Sequence, residues 1–115
     1  MLKIKLNKSL SKLDDIYQCF QEYDSEMLVQ TMRTFLQVAM ADKEGITMCN
    51  LICNLNMPQS TLSRNVSMLS KMNRHRVKGH NLVETFENPD DRRSKIVKLT
   101  FNGERLANRI HEKFN

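Results

Sequence analysis

Between Gln59 and Lys71 the segment QSTLSRNVSMLSK sets short hydroxyl and amide side chains beside cations at helical spacing. At 100° per residue, with Leu62 as zero, Val66 and Leu69 fall at about 40° and 340°, which defines one apolar side. Ser60, Arg64, Ser67 and Lys71 fall opposite, between about 140° and 200°, with Thr61 and Ser63 flanking them. A helix laid in a major groove needs such a face: short polar groups for base edges and phosphates, and a longer cation that reaches guanine acceptors. Gln59, Ser60, Thr61, Ser63 and Arg64 gather near the N-terminal end, where unpaired backbone N–H groups also favour a phosphate. Taken singly, each is equally a cap or a solvated side chain. Taken as a face, they point to a nucleic acid.

The charge distribution agrees. The 115 residues carry a net +5, yet the first 44 hold six basic and seven acidic residues, whereas residues 45–115 hold twelve and six. From Gly45 to Val83 there is no Asp or Glu, while Arg64, Lys71, Arg74, Arg76 and Lys78 are all present. An acid-free basic stretch is the electrostatic footprint of a polyanion partner, a solvated face being the alternative. The length suits one domain and excludes a large barrel or a multidomain enzyme. No apolar run approaches the ~18 residues of a membrane span, and MLKIKLNKSL does not read as a secretory signal. Three cysteines, an odd number, suit a reducing compartment, so a cytoplasmic location is expected.

The face needs elements to carry it. Residues 1–24 read as an N-terminal arm and a helix opening at a Ser11/Asp14 capping pair, with Leu10, Leu13, Tyr17 and Phe20 along one stripe. A second helix is expected behind Asp24 and Ser25, with Leu28, Met32, Phe35, Leu36 and Ala39 inward and Gly45 as its stop. Thr47 caps a third helix with Met48, Leu51, Ile52 and Leu55 inward. Asn56-Met57-Pro58-Gln59 breaks it before the fourth, because proline cannot continue one helix but fits the first turn of the next. Residues 46–71 thus form a helix-turn-helix. Leu82–Phe86 and Lys95–Leu99 are β-prone runs around the turn Asn88-Pro89-Asp90-Asp91, a hairpin within 82–99. Thr100 caps a last helix, 100–115, carrying Leu106, Ile110 and Phe114. The expected fold is mainly α: a single winged helix-turn-helix domain, helices plus one β-hairpin wing.

The segment Asn88-Pro89-Asp90-Asp91-Arg92-Arg93-Ser94-Lys95-Ile96-Val97-Lys98-Leu99-Thr100 resembles the wing of the MarR (multiple-antibiotic-resistance regulator) family of winged-helix repressors. Asp91 and Arg93 match its Asp-x-Arg pair, and Leu99-Thr100 follow at the expected distance. ITMCNLICNLNMPQSTLSRNVSMLSK resembles the family's helix-turn-helix, with Ser60-Thr61-Leu62-Ser63-Arg64 in the recognition position. The resemblance, over roughly residues 28–110, implies that Arg93 enters a minor groove and that Asp91 orients it by a charge-assisted hydrogen bond. A narrow A·T-rich minor groove attracts a guanidinium on independent grounds. Arg92, Lys95 and Lys98 would add phosphate contacts. The link 72–81, with Arg74 and Arg76, is longer than the family's; it reads as an added backbone clamp, a lengthened helix or a surface loop. Ending at Asn115, the chain is expected to lack a further family helix. Dimerisation is then expected from Leu10, Leu13, Tyr17, Phe20, Leu106 and Ile110, residues that serve equally as intramolecular core.

Other chemistry is not expected. Cys49 and Cys53, four apart, lack a third and fourth ligand and read as buried small hydrophobes. Cys19 has no adjacent cation to activate it, and His75, His80 and His111 pair into no site. No phosphate loop, carboxylate pair or nucleophile motif is present, so no catalytic residue, metal or cofactor is expected and the chain does not read as an enzyme. The leading expectation is a sequence-specific regulator of transcription that binds double-stranded DNA as a homodimeric repressor. A winged-helix module that docks on a host or replication protein is the alternative. A version gated by a small-molecule effector or by redox state also stays open, and the sequence names no effector.

Overall fold

The computed structural model describes residues 2–72 and 77–115. Among the described residues five helices and three short strands follow in the order α1 (Leu2–Gln21), α2 (Val29–Met40), β1 (Ile46–Thr47), α3 (Met48–Leu55), α4 (Gln59–Leu69), β2 (Val83–Phe86), β3 (Ile96–Leu99) and α5 (Phe101–Glu112). This is the expected winged helix-turn-helix, with one addition. Ile46 and Thr47 pair antiparallel with Val97 and Ile96, so the sheet has three strands in the order β1-β3-β2 rather than a bare hairpin. In the wing itself Val83 faces Leu99 and Phe86 faces Ile96.

Helix α1 starts nine residues before the expected cap. Residues 2–21 contain no Gly or Pro, and the stripe through Leu10, Leu13 and Tyr17 extends back to Leu6 and Leu2. Nothing therefore interrupts the helix at Ser11. Helix α2 starts later than expected. The Asp24 carboxylate accepts the Glu26 backbone N–H at 2.9 Å, closing a turn rather than capping the helix. Leu28 becomes the exposed residue before the helix. Thr47 caps α3 as expected, its hydroxyl accepting the Asn50 N–H at 3.1 Å. Asn56 closes α3 in the left-handed conformation, φ 51°, which asparagine tolerates. Thr100 caps α5 by accepting the Gly103 N–H at 3.0 Å and donates its own hydroxyl to the Asn81 carbonyl at 2.7 Å.

Helix α2 is the centre of the packing, against α3, α4, β3 and α5. Its Met32, Phe35 and Val38 meet a core built from Leu51, Leu55, Leu62, Val66, Leu69, Leu82, Val83 and Val97. Phe35 receives Phe20 edge to face, ring centroids 5.6 Å apart. Phe20, Leu106 and Ile110, which the sequence offers either to a subunit interface or to the intramolecular core, lie in this core. The reason is that the end of α1 folds onto α5, where Arg109 and Glu22 pair at 2.7 Å. That hydrogen bond raises the Arg109 pKa above its ordinary value, so the guanidinium stays charged. Phe114, expected on the inner side of α5, is exposed.

The cysteine expectation is also corrected. Cys49 and Cys53 are exposed and Cys19 is buried. Leu51 and Leu55 point α3 inward, with Met48 and Ile52 half-buried beside them, which turns the two cysteines outward.

Candidate nucleic-acid interface

Helix α4 presents the face that its sequence predicts. Leu62, Val66 and Leu69 are buried, Gln59, Ser60, Ser63 and Arg64 are exposed, and Thr61 and Ser67 are half-buried. The register of that face is held from below by Asn65, which is only 2% exposed. Its carbonyl oxygen accepts the hydroxyl of Thr31 on α2 at 3.0 Å, and its amide nitrogen lies 3.6 Å from the Met57 sulfur. A buried amide leaves water at a cost and regains it only with its partners in place, so this link sets the rotation of α4 against α2. Asn65→Ala is expected to lower stability by about 2 kcal/mol, since it leaves the Thr31 hydroxyl unpaired and opens space. Chemical denaturation measures the loss, and stability equal to the native chain's would remove Asn65 from this role.

Beyond Leu69 the chain doubles back. Gly79 donates to the Lys71 carbonyl at 2.9 Å, His80 to Met68 at 3.0 Å, Asn81 to Ser70 at 3.2 Å and Leu82 to Leu69 at 2.7 Å. These bonds satisfy the carbonyls left open at the end of α4. They also bring Gly79 so close that a Cβ there would stand 2.0 Å from the Ser70 carbonyl oxygen. Lys71 consequently lies past the helix end, exposed but off the rotational position that a longer helix would give it. Arg74 and Arg76 lie outside the described residues.

The wing tip is two successive turns held by side-chain carbonyls. Asn88 accepts the Asp90 N–H at 3.0 Å, and the Asp91 carboxylate accepts the Arg93 N–H at 3.0 Å. This corrects the expectation for Asp91. Two residues apart, its carboxylate reaches the backbone of Arg93 and holds the turn rather than the guanidinium. Among the described residues Asp91 and Arg93 form no ion pair, and Arg92, Arg93 and Lys95 are exposed. Lys98 instead sets its ammonium 5.2 Å over the Phe86 ring.

Helix α4 and the wing meet across an open cleft of about 460 Å³. Gln59, Ser63 and Ser67 of α4 line one side, Arg93, Lys95 and Thr85 of the wing the other, with Met48, Val66, Ser70 and Met72 between them. Ser60, Thr61, Arg64, Lys71, Asp91 and Arg92 are not part of its lining. The cleft wall holds two cations and no carboxylate among the described residues. A second hollow of about 390 Å³ between α2, β3 and α5 differs, since Asp42 and Glu104 line it together with Lys43 and Lys98. Met48, Ser70, Met72 and Thr85 are not site candidates in the sequence, because their place in the cleft depends on how the wing folds back.

No protein-family model matches the sequence, and no curated protein matches it. Solved structures do. The chain is similar to MepR of S. aureus in its complex with DNA, at 18% identity and a TM-score of 0.73, covering 98% of this chain and 81% of that one. It is similar to a cysteine-to-serine mutant of MarR from E. coli, at 19% identity and 0.65, covering 98% and 74%. A MarR family transcriptional regulator from Streptomyces coelicolor, also in complex with DNA, aligns at 19% identity and 0.65, covering 97% and 65%. The chain therefore has the winged helix-turn-helix fold of the MarR-family structures.

Proposed function

We propose that this chain is a sequence-specific, double-stranded DNA-binding regulator of transcription, acting as a dimeric repressor in the cytoplasm. The observation that carries the reading is the cleft onto which Gln59, Ser63 and Ser67 of α4 and Arg93 and Lys95 of the wing open together, with no carboxylate among the described residues that line it. Helix α4 lies in the major groove, where Arg64 and the short polar side chains meet base edges. The wing follows the duplex into the neighbouring minor groove with Arg93, while Arg92, Lys95 and Lys71 contact phosphates. Two of the similar structures are themselves DNA complexes, which supports the reading.

The dimer rests on α1. Leu2, Leu6, Leu10, Leu13 and Tyr17 make one stripe at spacings of four, four, three and four, and all are exposed, from 84% at Leu2 to 37% at Tyr17. An apolar stripe of that length on a single helix is a helix-pairing seam. A second copy related by a two-fold axis buries both stripes and presents two α4 helices to successive major grooves. Replacing Leu10 and Leu13 together by Glu is expected to raise the dimer dissociation constant by more than about a hundredfold, since each copy loses two buried leucines. Sedimentation would then report a folded monomer; an unchanged dimer would exclude this stripe as the seam.

DNA binding is tested by titrating a labelled duplex at several salt concentrations. Neutralising several phosphates predicts a steep fall in affinity with salt, with a log–log slope of about −0.9 per phosphate. A duplex not retained at moderate salt, with a protein partner captured instead, would select the protein-docking alternative.

A further inference from the structure

We propose that Cys49 and Cys53 form a two-thiol site for a soft, thiophilic centre, specifically a monosubstituted arsenic(III). Both thiols are free and exposed, one helical turn apart on α3. At 100° per residue they lie about 160° and 200° from Leu51, the most deeply buried residue of that helix, so they stand side by side on its outer line. Neither contributes to the core, which removes the usual packing reason for a free cysteine.

The spacing selects what they can hold. Side chains four apart on a helix have Cβ atoms about 5–6 Å apart, whereas a disulfide requires about 3.5–4.5 Å. A direct disulfide within α3 therefore needs the helix to unwind. Its two ends are tied down by the Thr47 cap and by Asn56, whose N–H donates to the Ile52 carbonyl. One bridging atom between the sulfurs makes up the missing distance. Among the described residues no set of three His, Cys, Asp or Glu side chains assembles to hold a metal, so a tetrahedral ion finds too few ligands. A monosubstituted arsenic(III) asks for two sulfurs only. With phenylarsine oxide, two S–H bonds break, two As–S bonds form and the arsenic-bound oxygen leaves as one water. No atom is oxidised or reduced.

The buried Cys19 supplies an internal control, since the native chain offers two accessible thiols out of three. One equivalent of phenylarsine oxide added to the reduced, native chain is expected to remove both accessible thiols together. Intact-mass measurement should show one phenylarsenic group in place of two hydrogens. C49S and C53S, each at an exposed position, are expected to keep the fold and lose resistance to competing glutathione by roughly a hundredfold, because the second sulfur no longer acts at high effective concentration. The proposal is overturned if either single variant holds the reagent as firmly as the native chain. It is equally overturned if one equivalent leaves one accessible thiol free, or if the reagent only links separate copies. The measurement needs no DNA, so its failure and that of the proposed regulator are told apart.

Discussion

Replacing Arg64 and Arg93 together by alanine is expected to weaken binding to the preferred duplex by about three orders of magnitude, or ~4 kcal/mol. The figure follows from about 1–3 kcal/mol for one well-placed arginine and from near-additivity of separate contacts. The two single variants should fail differently. Arg64 is exposed on α4 and outside the cleft lining, and in the proposed groove geometry its guanidinium is the one directed to base edges. Arg64→Ala should therefore relax the choice of base at one position of each half-site. Arg93 lines the cleft from the wing side, its backbone N–H fixed by Asp91 and its guanidinium without an acceptor among the described residues. Arg93→Ala should lower the salt slope by about one and weaken any preference for flanking A·T pairs. Both side chains are exposed, so unfolding should change by no more than about 0.5 kcal/mol. Unchanged affinity in both single variants would contradict the groove geometry.

Gly103→Ala is expected to destabilise the chain by about 3 kcal/mol, lowering the melting temperature by roughly 10–20 °C. By helix propensity alone the sign is opposite, since alanine in a helix is favoured over glycine by about 1 kcal/mol. Position decides against propensity here. The first turn of α5 lies on the Leu82 carbonyl, which accepts the Thr100 N–H at 3.0 Å. A Cβ on Gly103 would stand 2.1 Å from that carbonyl oxygen and 3.1 Å from Leu99. The obstacle is backbone just before β2, so α5 must lift and take Leu106 and Ile110 out of the core with it. A thermal melt reads the result, and a higher melting temperature would show that propensity wins.

What the sequence made legible and what it did not follow one physical division. Local periodicity and cap chemistry are written in consecutive residues, so both faces of α4, the Thr47 and Thr100 caps and the wing strands could be read directly. The two-residue strand β1 could not, because Ile46 and Thr47 become a strand only through pairing with β3. Asn65 carried a weak signal: it falls inside the apolar stripe of α4, where an amide needs a buried partner, but Thr31 is thirty-four residues away. The stripe of α1 was visible, yet its division was not. Phe20 turns into the core while Leu10 and Leu13 stay outside, because only the end of α1 reaches α5. Cys49 and Cys53 were read as buried by residue type, whereas the α3 pattern of Leu51 and Leu55 places them outward. In that instance periodicity was the better guide than composition.

In the proposed complex α4 and the wing read a duplex as one surface, twice, in a two-fold dimer. Selection of bound sequences from a random duplex library by the native chain is the decisive measurement. Enrichment of a palindromic or near-palindromic site is expected, its half-sites about one helical turn, or 10–10.5 base pairs, apart, with A·T pairs where the wings enter the minor groove. Retention of all duplexes alike, with no sequence enriched, would contradict it.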